Sequence, residues 1–232
     1  MHALKLRLVT PTEVHKFASS QVNKLKELLS PQELLRFQTL KSEKRKRDWL
    51  AGRVAAKELL RTHLAEAWPT YVGVSLSQIE VYNGEAGAPS FRLRGGRFPQ
   101  TLPQVLNISI AHSHGYGLCG LARTQEDGYI GVDIETIRPL GPAVQRRFLT
   151  EAELKQITGV ESEDAVLFWA LKEAAFKALR RACKFTSLQV IKKGDEKAVI
   201  VSSQGIALSA AYERHADFFL AWALTPPSAS NP

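Results

Sequence analysis

Cysteine is scarce in this chain of 232 residues: only Cys119 and Cys183 occur, both among apolar neighbours. Small secreted domains stapled by disulfides use more than this, so two buried free thiols and a reducing, cytoplasmic setting are expected. No apolar run approaches the roughly 20 residues that cross a bilayer, and the N-terminus lacks the layout of a signal peptide. Acid is also in short supply. Against 31 Lys and Arg stand 23 Asp and Glu, a net charge of +8. That balance implies an anionic partner without choosing among nucleic acid, a membrane surface, a phosphorylated cofactor or an acidic protein. Much of the excess lies in residues 36–57, where eight cations, Lys44 and Arg47 among them, meet only Glu43 and Asp48. The cluster reads either as a docking patch for phosphate or protein, or as a solvated helix face. What is present in ordinary amount, 44% hydrophobic and 23% charged residues, is the composition of a soluble globule with chain enough for a core.

Thr10-Pro11-Thr12-Glu13 and Ser30-Pro31-Gln32-Glu33 each offer an N-cap, a proline at the first helical position and a glutamate at the third. They predict helices over 11–29 and 31–40, followed by a longer one over 44–64. A strand over 78–83 precedes a turn-rich stretch with Asn83-Gly84 and Gly87-Ala88-Pro89, and Arg94-Gly95-Gly96-Arg97 reads as a hairpin turn. Apolar segments at 105–111, 116–122 and 129–135 read as strands joined by tight turns. Thr150-Glu151-Ala152-Glu153 is another capping box, opening a short helix that stops at Gly159. Ser162 caps a helix over 163–181, and strands follow at 186–191, 197–203, 205–212 and 217–224.

The polar link Thr124-Gln125-Glu126-Asp127 divides two halves of similar make-up, although direct repetition is not visible. The expected fold class is α+β: two pseudo-symmetric lobes, each a small mainly antiparallel sheet packed with helices, with the active site in the cleft between them. The N-terminal lobe is expected over 1–126 and the C-terminal lobe over 127–225. The tail 226–232 is too poor in apolar residues to pack, and disorder is expected there.

Within the C-terminal half, Ile130, Val132 and Ile134 alternate with Gly131, Asp133 and Glu135, the period of a strand. The apolar set should face the core and both carboxylates the other way, beside a glycine that leaves room for something bulky. About forty residues on, Phe168 to Lys177 is helical in pattern, with Trp169, Glu173 and Lys177 recurring on one side. Asp133, Glu135, Glu173, Lys172 and Lys177 could thus converge, which suits a hard divalent cation holding a phosphate. Each part has a plainer reading. The strand acids could face solvent, Glu173 and Lys177 could be a surface pair worth a few tenths of a kcal/mol, and Trp169 and Phe176 could be core. The joint pattern is what points to chemistry.

This combination resembles the 4′-phosphopantetheinyl transferases, whose hallmark is a Gly-x-Asp strand followed by Trp-x-x-Lys-Glu-x-x-x-Lys. Here those positions read Gly131-Val132-Asp133 and Trp169-Ala170-Leu171-Lys172-Glu173-Ala174-Ala175-Phe176-Lys177, complete at every defining residue. The resemblance runs from the basic Lys44–Arg47 and Ala51-Gly52-Arg53 stretch to Phe218–Trp222. Chain length favours the larger single-chain class with two pseudo-symmetric lobes, like the surfactin-synthetase activator. The family reaction moves the phosphopantetheine arm of coenzyme A onto a serine of an apo acyl or peptidyl carrier protein, releasing 3′,5′-ADP. Such carriers serve fatty acid, polyketide or non-ribosomal peptide synthesis.

The resemblance implies Mg²⁺, or Mn²⁺, on Asp133, Glu135 and Glu173. It implies that Glu173 takes the serine proton, kept ionised by Lys172 and the metal, and that Lys177 faces the pyrophosphate. Coenzyme A contacts are implied for Lys44, Arg47, Gly87, Ala111, His112, Asp133, Lys172 and Lys177. In Ser109-Ile110-Ala111-His112-Ser113, His112 would reach the 3′-phosphate. Two departures stand out: relatives often carry serine where this chain has Ala111 and lysine where it has Ala88. Either Arg92 or Arg94 substitutes for that lysine, or coenzyme A affinity is weaker; the sequence leaves both open. A monomer is expected, with acidic carriers steered by the basic surface and neither nucleic acid nor membrane as partner.

Two readings from other classes compete. A Mg²⁺-dependent nuclease would grip DNA with the basic helix, but its lysine is expected on the acidic strand, not on a later helix. A nucleic-acid-binding module built on residues 41–57 would leave the acids without a role and lacks exposed stacking aromatics.

Overall fold

The computed structural model describes residues 4–18, 22–84, 87–95, 105–157, 163–192 and 196–227. The chain divides into two compact units, residues 2–123 and 124–232. In the first, β1 (Lys5–Val9) pairs antiparallel with β5 (Tyr116–Arg123), which pairs with β4 (Leu106–Ser113). A separate hairpin joins β2 (Ile79–Asn83) to β3 (Pro89–Leu93). Among the described residues the α-helices that accompany them are α1 (Pro11–Ala18), α2 (Val22–Leu28), α3 (Pro31–Gln38) and α4 (Glu43–Ala67). Leu50, Val54 and Leu60 of α4 are buried in one cluster with Ile79, Phe91 and Ile108 from the strands. The helix can lie this close to β5 because Gly117 carries no side chain; a Cβ there would stand 2.2 Å from the Ala51 carbonyl oxygen.

The helix expected over 11–29 is two helices, and residues 19–21 between them lie outside the described set. The capping box at Ser30 forms as expected, with Glu33 as its partner. β1 is an element the sequence pattern did not announce, because Lys5 and Arg7 break up a five-residue run. The hairpin turn falls between Asn83 and Pro89, where Gly84 N–H donates to Ala88 O (2.7 Å) and Gly87 takes φ +75°. Gly96 and Arg97 of the expected turn lie outside the described residues.

The second unit holds a five-stranded antiparallel sheet in the order β6-β10-β9-β8-β7. Its strands are β6 (Ile130–Thr136), β7 (Gln189–Lys192), β8 (Lys197–Val201), β9 (Ala207–Arg214) and β10 (Phe218–Leu224). Three short helices, α5 (Thr124–Asp127), α6 (Pro142–Gln145) and α7 (Glu151–Leu154), precede α8 (Asp164–Ala178). α8 buries a face of small residues, Ala170, Ala174, Ala175 and Ala178, in one cluster with Ala221 and Ala223 of β10. Gly131 completes this close approach: a Cβ there would stand 1.8 Å from the Ala174 carbonyl oxygen. The room beside Asp133 is therefore taken by the helix itself and not by a ligand, which corrects the expectation from sequence. Asp133 is buried with it, while Ile130, Val132 and Ile134 are buried on the other face of the strand.

Both units are α+β with antiparallel pairing throughout. Cys119 and Cys183 are free thiols, the first buried and the second half-buried. Gly159, Ser162 and the tail from 228 lie outside the described residues. No described helix is long and apolar enough to cross a membrane.

Candidate active site

β6 and α8 bring Asp133, Glu135, Trp169, Glu173 and Lys177 into one neighbourhood. Lys177 Nζ donates to Asp133 Oδ1 (2.7 Å) and to the Val132 carbonyl (3.1 Å). Asp133 Oδ2 is buried and accepts no hydrogen bond, an uncompensated oxygen that normally costs about 1–3 kcal/mol. Trp169 Nε1 donates to Glu135 Oε1 (3.1 Å). Burial, joined by the charge of Asp133, pushes the Glu135 carboxyl up to about 6. Burial likewise raises the Glu173 pKa, again helped by Asp133 and opposed by Lys177 and Arg181. Burial is the chief cause of the shift in both acids, and the nearby cations offset only part of it.

Their chemistry suits a hard cation, since all donors are carboxylate oxygens and one is orphaned. Their placement is looser than the expected triad. Among the described residues no three His, Cys, Asp or Glu side chains stand together as a metal-binding group. One oxygen of Asp133 is held by Lys177 and one of Glu135 by Trp169.

Lys172 is a correction. It has no solvent exposure and donates to Glu153 Oε2 (2.6 Å) and to the Phe148 carbonyl (2.6 Å). It therefore reaches no coenzyme A, and the cations acting on Glu173 are Lys177 and Arg181 instead.

Gly87 and His112 of the N-terminal lobe meet in a cavity of about 460 Å³, within the range of small-molecule sites. Alternation along β4 explains why: His112 is exposed while Ala111, its neighbour, is buried. Ala111 does not line this cavity, so the missing serine takes no hydroxyl from its wall. Lys44 and Arg47 do not line it either. Lys44 is exposed near the start of α4, and Arg47 borders a second cavity of about 330 Å³ with His15 and His114.

Arg92 and Arg94 fail as substitutes for the missing lysine because both are committed to Glu80, Arg94 at 2.6 Å. The cations of this cavity are Arg36 and Arg53, which sequence reasoning had counted only as part of a basic cluster. Arg53 stacks on Trp49 at 4.7 Å and pairs with Glu33 at 3.6 Å. Its Nε is buried without a hydrogen-bond partner, and burial lowers its pKa. An apolar Trp one helical turn before an Arg was the signal for this stack.

The family description "4′-phosphopantetheinyl transferase superfamily" fits residues 129–224, which contain all five residues of the acidic site. A holo-[acyl-carrier-protein] synthase of Oceanobacillus iheyensis is 35% identical over 98 residues, covering 42% of this chain and 74% of its own. A putative 4′-phosphopantetheinyl transferase of Synechocystis is 30% identical over 170 residues, 71% of this chain and 62% of that one. The 4′-phosphopantetheinyl transferase HetI of Nostoc is 30% identical over 165 residues, again covering 62% of its length. The chain belongs to the 4′-phosphopantetheinyl transferase superfamily. A crystal structure of a Bacillus anthracis holo-(acyl-carrier-protein) synthase with coenzyme A aligns to 51% of this chain and 91% of its own. At 22% identity and a TM-score of 0.36, that likeness is too slight to carry fold or function.

Proposed function

We propose that this protein transfers the 4′-phosphopantetheine group of coenzyme A to a serine hydroxyl of an apo acyl or peptidyl carrier protein and releases 3′,5′-ADP. The observation that carries the reading is the uncompensated acidic site on β6 and α8, with the buried orphan oxygen of Asp133 at its centre, inside the stretch that fits the family.

In the transfer, the serine oxygen bonds to the phosphorus of the phosphopantetheine phosphate. The bond from that phosphorus to the bridging oxygen breaks, and its electron pair leaves with 3′,5′-ADP. Glu173 takes the serine proton. It suits the task because it is half-buried, its proton affinity is raised by burial, and it has no hydrogen-bond partner among the described residues. Lys177 is the cation nearest the site and stabilises charge on the departing bridging oxygen. Asp133, Glu135 and Glu173 would hold Mg²⁺ or Mn²⁺, whose chemistry there is to neutralise the pyrophosphate. Gly87, His112, Arg36 and Arg53 border the cavity that takes the nucleotide end of coenzyme A.

The test is intact mass spectrometry of an apo carrier protein incubated with this protein, coenzyme A and Mg²⁺. A gain of one phosphopantetheine group that disappears with EDTA is expected. No gain across acyl and peptidyl carriers would remove the reading.

A further inference from the structure

The β2–β3 hairpin supplies Glu80, Val81, Tyr82, Asn83, Gly87 and Pro89 to the wall of the cavity of about 460 Å³. Ile79, Val81, Phe91 and Leu93 are buried on the core side. Glu80 and Tyr82 share the opposite face, directly across from Arg92 and Ser90. Tyr82 is 38% exposed, a large aromatic ring left at the cavity wall. It is not loose. The Arg92 guanidinium lies 5.4 Å from the ring centroid, and Arg92 is itself held by buried Glu80. Glu80 is fixed in turn by Arg94 (2.6 Å) and by the Ser30 hydroxyl (2.9 Å). One aromatic face is thus backed by a clamped cation. Arg53 borders the same cavity; its side chain is only 13% exposed, and its Nε makes no hydrogen bond and stands 3.6 Å from Glu33.

A backed, exposed ring and an arginine in one cavity are the two halves of a nucleotide site. Bases stack on aromatic faces, and guanidinium groups take phosphate. We propose that Tyr82 is the platform on which the adenine of coenzyme A stacks, with Arg92 as its backing and Arg53 facing the phosphates. The proposal rests on the transferase reading and adds to it a residue that holds the base, with a preference for the larger purine ring. It also gives Arg92 a role other than replacing the absent lysine. The arginine stiffens a stacking surface instead of touching phosphate.

Calorimetric titration with 3′,5′-ADP and with uridine 3′,5′-bisphosphate tests it on the full chain. Wild type should bind the adenine compound more tightly. Tyr82→Ala should weaken 3′,5′-ADP by about five- to a hundredfold, the usual range for one stacked base, and the uridine compound less. Tyr82→Phe should restore binding, because the ring and not the hydroxyl is used. Arg53→Gln should weaken both compounds alike. Tyr82 is exposed, so an unchanged melting curve for Tyr82→Ala is expected and checks the fold. Equal affinity of Tyr82→Ala and wild type for 3′,5′-ADP overturns the proposal, as does absence of 3′,5′-ADP binding by wild type. Failure of the transferase reading is seen separately, as no mass gain on the carrier.

Discussion

The two lobes are built around the same device and treat its neighbouring acid in opposite ways. In the N-terminal lobe, the capping-box residue Glu33 accepts from Ser30 N–H (2.9 Å), from Val81 N–H (3.2 Å) and from Lys57 of the long helix (2.5 Å). In the C-terminal lobe, Glu153 accepts from Thr150 N–H (2.7 Å), Val190 N–H (2.7 Å) and Lys172 (2.6 Å). Each lysine is completely buried, and each is followed by a glutamate, Glu58 or Glu173. Here the lobes part. Arg7 of β1 binds Glu58 through Nε (2.9 Å) and Glu13 through Nη2 (2.5 Å), so that acid is neutralised. Glu173 accepts no hydrogen bond from a cation among the described residues; Lys177 and Arg181 act on it only through space, against burial and the charge of Asp133 on β6. One scaffold thus carries a compensated acid in one lobe and an uncompensated group in the other. An acidic strand residue where the sister strand has arginine is a local rule broken at a site with work to do.

The sharpest way to break this comparison is to neutralise both acids. Glu173→Gln should slow transfer by about 10²–10⁴ without lowering stability. Glu58→Gln should keep transfer and cost about 1 kcal/mol or less, because its pair with Arg7 is part-exposed. Carrier modification and melting curves read the two effects, and near wild-type turnover of Glu173→Gln would take that residue out of the mechanism.

Next come the shared lysines. Lys172→Met leaves buried Glu153 without its charge partner, and Lys57→Met leaves buried Glu33 only the longer pair with Arg53; each should cost about 3–5 kcal/mol in denaturant unfolding. A much smaller loss in one lobe would show that the two devices are not energetically alike.

The smallest effect is in pH dependence, where the lobes should have opposite signs. Glu135 has a folded pKa raised to about 6 from 4.5, so its ionisation weakens the fold progressively between those values and by a constant amount above. Glu135→Gln should therefore gain on wild type across that window, in metal-free buffer. Glu13 has a lowered pKa, chiefly from the Thr10 backbone N–H and also from Arg7, so it contributes stability above the ordinary carboxylate range and loses it on acidification. Glu13→Gln should fall behind wild type as pH rises through that range. Melting temperatures from pH 4 to 8, roughly the span in which these carboxyls ionise, decide both signs.

Much of this was legible because it is local. The boxes at Ser30 and Thr150 follow from spacing, and the Trp169–Lys177 helix from period and motif. What escaped depends on contacts distant in sequence. Gly131 reads as space for a ligand until α8 is found lying on it. Lys172 reads as an active-site cation until Glu153, nineteen residues earlier, takes it inward. Arg92 and Arg94 read as spare cations until Glu80 claims both. The likeness of the lobes rests on a few contact residues set at unequal intervals, too sparse to register as repetition.

A primary amine with no solvent exposure cannot meet an acylating reagent. Lys57 and Lys172 are therefore silent in the closed protein and take up label only while their own lobe is open. Each lobe carries, at the centre of its hydrogen-bonded device, a native clock for its own opening. Because the two lysines fall in different peptides, one pulse of reagent would time the two lobes separately, with no probe added to either.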